Sequence, residues 1–484
     1  MRMQKMQNIV RNKVFSFMSR YYEEFVLVLF GMGLCLYGFG LDLGVNFKTQ
    51  GFFQIGGVLY IIFAYRHFAL RDDLRLLRIP LISFGVVIVL GLLSYFDEIM
   101  PRSFGKVFGS INTHIIKYLV LFVIVFLYVR YAKRRNVLIL FSIFGLLCMV
   151  NVVASLVEFW RYGFKTHHVP FGFKAVFTYN IWLLAPMALC ISGMVACKHK
   201  ALKILCVLGV ALTLGAMFAN GERSFLVSSL VMVFVPFVVW RYRHKGKILP
   251  LVFVAGVLVL GGIYTQTKTL PDRYNFAHMI DNFWEVIQTP VVEMGKYDKL
   301  CFNGVFACNP QSTKNGEAEF FWEHSSLSRI AMSKSTFEAF LDSPFMPRIV
   351  GVFQIGEYLW QYYEVHTDKQ ANRMYMSTGN ALNGYNHSHN FVVELLFCYG
   401  LVGFFAMLCF FMYGMYLASR SICHATDSLG MFLGLYFYVF VFGVIMYCFF
   451  DSPYNNILEI FFIMIGCLYG FLSFYTKMNK DIII

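Results

Sequence analysis

The chain has 484 residues and a formal net charge of +14; it is 58% hydrophobic, only 14% charged, and its mean hydropathy is +0.61. Soluble domains are roughly half apolar and about a quarter charged, so this composition excludes a set of soluble domains and predicts an all-α, polytopic integral membrane protein. On such a chain, lysine and arginine report topology first, and the positive balance calls for no nucleic-acid partner.

A bilayer core about 30 Å thick takes about 20 apolar residues per helix. Runs of that kind predict about twelve transmembrane helices, near 24–41, 51–65, 79–96, 118–132, 137–159, 176–196, 204–219, 225–240, 248–266, 401–418, 430–449 and 454–475. The first does not read as a cleaved secretion signal, because it ends in Gly38-Phe39-Gly40-Leu41-Asp42 without a small-x-small site, and it is expected to stay as an anchor. Basic residues cluster on alternate connections, from Arg2 to Arg20, Arg66 to Arg78, Arg130 to Arg135, Lys198 to Lys203, Arg241 to Lys247, and at Arg420, Lys477 and Lys480. That alternation puts both termini in the cytoplasm.

The chain therefore divides into spans one to nine over 1–266, a large outer loop over 267–388, and spans ten to twelve over 389–484. A loop of this length with structure of its own is usually functional. Two amphipathic helices are predicted in it: one over 273–288, from Phe276, Ile280, Phe283 and Ile287, and one over 325–342, from Leu327, Ile330, Phe337 and Leu341, closed by Pro344 and Pro347. Cys301 and Cys308, around an Asn-Gly turn signal, form a candidate disulfide if the compartment is oxidising; most other cysteines lie in apolar runs.

Ionisable groups at the outer rim of the spans come next, because at membrane depth they are paired, cavity-facing or functional. Asn220 to Arg223 makes a tight outer turn that keeps the Arg223 guanidinium at the membrane surface, suited to a bidentate grip on phosphate, or to a pair with Glu222. Arg329 opens the second loop helix; Lys334, five residues on, need not share its face. His387 and His389 precede an apolar stretch, where a helix N-terminus favours an anion and a neutral imidazole is the natural base near pH 7. No third and fourth ligand stand at metal-site spacing from this His-x-His pair, so no metal is expected. Asp97-Glu98 is an acidic rim pair that a divalent metal could use. The basic segment with Arg161 and Lys165 could touch an acidic lipid headgroup. No Gly-rich phosphate loop occurs, which argues against nucleotide-driven chemistry and a nucleotide partner.

The order of these pieces is similar to one family. An Arg at the outer end of a span (GERSFLVSSLVMV), a large loop with an Arg-led helix ending at a Pro (SRIAMSKSTFEAFLDSPF), and His-Asn opening an apolar stretch with Gly-Leu-Val-Gly (HNFVVELLFCYGLVGFF) resemble the O-antigen ligase and O-antigen polymerase superfamily over about 176–418. The resemblance implies a membrane glycosyltransferase working at the outer face of a bacterial inner membrane, without cofactor or metal. The donor would be an undecaprenyl-pyrophosphate-linked glycan and the acceptor a lipid A-core sugar or a second lipid-linked glycan. Arg223 and Arg329 would hold the pyrophosphate, His389 would be the base, and His387, Asn390, Arg161 and Lys165 would be accessory. The tandem leaves the choice between His387 and His389 open, although the His-Asn pairing favours His389. A twelve-helix transporter is the rival from another class, but it would carry its binding groups near the midplane rather than at one rim.

Overall fold

The computed structural model describes residues 2–39, 49–164, 179–220, 223–243, 324–351, 354–365, 387–424, 427–453 and 455–478, with a few short pieces between 280 and 318. The elements are α1 (Arg2–Gly38), α2 (Gln50–Ala64), α3 (Leu70–Leu93), α4 (Phe104–Ile111), α5 (Lys117–Tyr131), α6 (Arg134–Arg161), α7 (Tyr179–Ala196), α8 (Lys200–Asn220) and α9 (Arg223–Arg243). After a two-residue antiparallel pair, β1 (Thr313–Lys314) and β2 (Glu317–Ala318), come α10 (His324–Leu341), α11 (Ile355–Val365), α12 (Phe391–His424), α13 (Ser428–Cys448) and α14 (Asn455–Met478).

Among the described residues, six helical stretches are long and apolar enough to cross a membrane: Leu70–Phe96, Phe104–Tyr131, Arg134–Arg161, Lys200–Asn220, Phe391–His424 and Ser428–Cys448. The chain is a membrane protein. Each predicted span coincides with a helix except the ninth, at 248–266, which lies outside the described residues. Large side chains such as Val28, Val58, Ile82, Leu146, Leu205 and Phe405 point outward, a surface suited to hydrocarbon rather than water.

The helices are fixed to one another by close approach and by buried polar pairs. On α14, Gly466 and Gly470 face α5 so closely that a Cβ at Gly466 would sit 2.6 Å from the Phe122 carbonyl oxygen. This small-xxx-small spacing lets two backbones meet where lipid offers no hydrophobic drive. Two ion pairs bracket the same contact: Lys117 Nζ is 2.7 Å from Glu459 Oε1, with Tyr37 of α1 donating to the other carboxylate oxygen, and Arg130 Nε is 2.7 Å from Asp73 Oδ1 of α3. All four charged groups are nearly or fully buried, and removing one partner would strand the other charge.

Helix α12 is two helices that meet at Gly400, whose φ of 66° no other residue type adopts cheaply. The exit of α10 docks into this break. Leu401 N donates to the Pro344 carbonyl at 2.9 Å, and Arg348 N donates to the Cys398 carbonyl at 3.0 Å. Arg102 then ties this segment to the α3–α4 connection, donating to Gln354 Oε1 at 2.7 Å and to the Arg348 carbonyl at 3.1 Å.

Two expectations change. The second amphipathic helix exists as α10, but Phe337 and Leu341 are exposed, while Met332, Ser335, Thr336, Ala339 and Phe340 are buried. Small side chains let α10 lie close on α12, with Met332 and Phe340 buried beside them and Ile330 packed against the core, while Phe337 and Leu341 turn outward. Asp97 is not laid out as a metal ligand either. Its Oδ1 accepts from Ile99 N and Met100 N, closing a turn, and its Oδ2 accepts from the Tyr358 hydroxyl at 3.0 Å. Of the first loop helix, only Ile280, Phe283, Trp284, Ile287 and Gln288 are described; they are helical. Lys165 and the Cys301–Cys308 pair lie outside the described residues.

Candidate active site

The site forms where the segment before α12 meets the segment between α13 and α14. Asn390 is the N-cap of α12: its Oδ1 accepts from Val392 N at 3.1 Å and from Val393 N at 3.2 Å, satisfying amides that the helix leaves open. His389 stands one residue earlier, with φ 56° in the left-handed region, which costs a non-glycine residue about 1–3 kcal/mol. Such a residue persists only where its surroundings hold it. Here Ser333 Oγ of α10 donates to the Ser388 carbonyl at 2.7 Å, pinning the histidine segment to the loop helix.

His389 Nδ1 lies 3.2 Å from Oδ1 of Asp451, and both side chains are buried. A carboxylate only accepts, so Nδ1 carries the proton and Nε2 keeps its lone pair. Asp451 is itself fixed: Ser452 N donates to Oδ1 at 2.8 Å and the Tyr447 hydroxyl donates to Oδ2 at 3.1 Å. Arg329 Nη1, from the first turn and a half of α10, is 4.0 Å from the same Oδ2 and about a third exposed. Burial alone would raise the Asp451 pKa, but the His389 hydrogen bond and the Arg329 charge outweigh it, and the carboxyl is held below its usual range.

His387 is placed differently. Its ring centroid is 4.1 Å from that of His389, and burial, reinforced by the His389 and Arg329 charges, pushes its pKa down to about 2. It stays neutral at any working pH and is a poor proton acceptor beside a histidine whose Nδ1 faces a carboxylate.

Together His387, His389 and Asp451 offer three donor atoms within 4.8 Å of one another, a set that chemically suits a metal ion. Sequence spacing gave no third ligand; folding supplies one in Asp451. Two features weigh against a divalent ion. Asp451 already accepts from Ser452 and Tyr447 as well as facing His389, and the Arg329 guanidinium stands 4.0 Å away, where it would repel a second cation.

Arg223 is the first residue of α9, three positions after the last residue of α8. Two residues on, Phe225 is fully buried with its ring 5.9 Å from that of Tyr447, the residue that donates to Asp451. The start of α9 therefore packs against the tyrosine that holds Asp451. Lys334 turns away from Arg329: its Nζ donates to the Ile287 carbonyl at 2.9 Å and lies 3.8 Å from Glu338. Arg161 is 68% exposed and pairs with Glu158 of its own helix at 3.4 Å, so the fold does not bring it to this cluster through any described contact.

Asp451 is the residue that sequence reasoning missed. It is an acidic group between two apolar runs, and the rule that singled out Arg223 applies to it equally. Residues 208–408 match the model of a protein family described as O-antigen ligase. The matched stretch contains Arg223, Arg329, His387 and His389, while Asp451 lies beyond it. No curated protein matches the chain.

Proposed function

Because residues 208–408 match the model of the O-antigen ligase family, we propose that the chain is an O-antigen ligase. It transfers a glycan from undecaprenyl pyrophosphate to a sugar hydroxyl of the lipid A core, at the periplasmic face of the inner membrane. In this reading all twelve predicted spans cross, both termini are cytoplasmic and the 267–388 loop is periplasmic.

The observation that carries the proposal is the buried His389–Asp451 pair with Arg329 beside it. The acceptor hydroxyl gives its proton to His389 Nε2 as its oxygen attacks the anomeric carbon; the bond from that carbon to the pyrophosphate oxygen breaks, and the lipid pyrophosphate leaves with the bonding pair. Asp451 holds the imidazole in the accepting tautomer and stabilises the imidazolium that forms. A positioned base of this kind is worth roughly 10²–10⁴ in rate. Negative charge grows on the leaving group as the bond breaks, so Arg329 and Arg223 favour the transition state over the ground state. Since pyrophosphate already leaves readily, the reaction needs no general acid, and since the bond energy is stored in the donor, it needs no nucleotide. His387 is left as a neutral wall of the site.

The same chemistry serves a polymerase, in which the acceptor is a second lipid-linked repeat unit. Deleting the gene and separating lipopolysaccharide by electrophoresis distinguishes the two. A ligase leaves bare core with full-length lipid-linked chains accumulating; a polymerase leaves core bearing a single repeat; an unchanged ladder rejects both. A transporter fits less well, because the charged cluster sits at helix ends instead of mid-helix.

A further inference from the structure

One buried carboxylate close to the site has no part in the steps above. Glu394, in the first turn of α12, is fully buried, and its Oε1 accepts three hydrogen bonds: from Ser388 N at 2.8 Å, Ser388 Oγ at 3.2 Å and Ser452 Oγ at 2.7 Å. Ser388 is the residue before His389 and Ser452 the residue after Asp451, so a single oxygen ties together the two segments that carry the pair. The His389–Asp451 pair joins the same two segments at 3.2 Å. The other oxygen, Oε2, has no hydrogen-bond partner among the described residues. Glu394 also lines a cavity of about 80 Å³ whose walls are mainly apolar side chains, including Phe391, Leu395, Phe461 and Pro453.

A carboxylate is costly to bury, and a helix N-terminus offers it free amides close by. Glu394 instead spends its acceptor capacity on the neighbours of His389 and Asp451. It also holds the amide of Ser388, which leads directly into the left-handed backbone of His389. We propose that Glu394 is a positioning residue for the transfer reaction: it clamps the His389 segment to the Asp451 segment and so sets the imidazole–carboxylate geometry. The inference rests on the reading of His389 as the base. Asp451, His387 and Arg329 are the titratable and charged groups facing that imidazole, and Glu394 acts on it only through the two serines.

The test is a double-mutant cycle in purified protein with a lipid-linked glycan donor and lipid A-core acceptor. Glu394→Ala should lower kcat about 30-fold with KM unchanged. Glu394→Gln keeps an acceptor oxygen where Oε1 stands and should stay within about threefold of wild type. In an Asp451→Asn background, Glu394→Ala should cost less than about threefold more, because the imidazole–carboxylate pair it protects is already lost; a residue that only stabilises the fold would lower both backgrounds equally. Loosening the pair also weakens the carboxylate's hold on the imidazolium, so the acid limb of the kcat profile should move to lower pH in Glu394→Ala. If that protein does not fold, Ser452→Ala carries the test: it removes one of the three hydrogen bonds and should lower kcat about fivefold at unchanged KM. Multiplicative losses, an unmoved acid limb, or full activity in both Glu394→Ala and Ser452→Ala overturn the proposal. Full activity of Asp451→Asn alone would overturn the base assignment instead, so the two failures are distinguishable.

Discussion

Replacing Asp451 with asparagine changes one charge and almost no volume. The amide can turn its NH₂ toward His389, which makes Nδ1 the acceptor and puts the proton on Nε2, the nitrogen that has to receive the acceptor's proton. It also removes the negative charge that stabilises the imidazolium. At 3.2 Å and an effective dielectric of about 20, that attraction is about 5 kcal/mol. Arg329, 4.0 Å from the same carboxylate, takes up part of it. Allowing about 3–4 kcal/mol for the net loss and 1.4 kcal/mol per decade gives a 10²–10³-fold fall in kcat. KM for the lipid-linked donor should hold, because Arg223 and Arg329 remain. The assay is initial-rate transfer in proteoliposomes at several donor concentrations. An Asp451→Asn protein with more than a third of the wild-type kcat would refute the assignment of Asp451 as support for a base.

Arg329→Lys and Arg223→Lys should each lower kcat/KM by at least tenfold in the same assay, since an ammonium cannot reproduce the planar two-donor fork; near-normal activity of either would make that residue a surface anchor only. Between about pH 2 and 6.5, unfolded His387 binds a proton that the folded protein refuses. Stability should therefore fall as pH drops through 6.5, by about 1.4 kcal/mol between pH 7.5 and 5.5 from this group. His387→Gln should remove that part of the loss in thermal unfolding at the two pH values, and an undiminished loss would contradict the burial argument. Gly400→Ala would place a Cβ 3.0 Å from the Pro344 carbonyl oxygen at φ 66°. It should destabilise by roughly 2–4 kcal/mol, counting about 1–3 kcal/mol of backbone strain at φ 66°, ψ −176° together with the clash; an unchanged unfolding temperature would mean that the α12 break is not needed.

The helices were readable in the sequence because an apolar run is a local property: all the predicted runs but the undescribed 248–266 fall on helices, and among the described residues six of these are long and apolar enough to cross a membrane. His389 stood out as a polar group ahead of an apolar run and Arg329 as the basic residue at the head of a loop helix, and the fold brings both to Asp451. Asp451 did not stand out, since its pairing with His389 bridges 62 positions and depends on how α12, α13 and α14 pack. The buried face of α10 was misjudged because periodicity favours large apolar residues, whereas Ser335, Thr336 and Ala339 face inward where the helix approaches α12. The Asp97-Glu98 pair left a metal role open only because sequence does not show that the Asp97 oxygens accept from Ile99, Met100 and Tyr358.

The most direct test of the account is transfer of a glycan from undecaprenyl pyrophosphate to purified lipid A core by the wild-type protein and by His389→Ala, read as a band shift of the acceptor, with donor binding measured on both proteins. The account predicts transfer by the wild type, a loss of at least a hundredfold in the variant, and equal donor binding. Transfer by His389→Ala at the wild-type rate, or none by a wild-type protein that binds the donor, would contradict it.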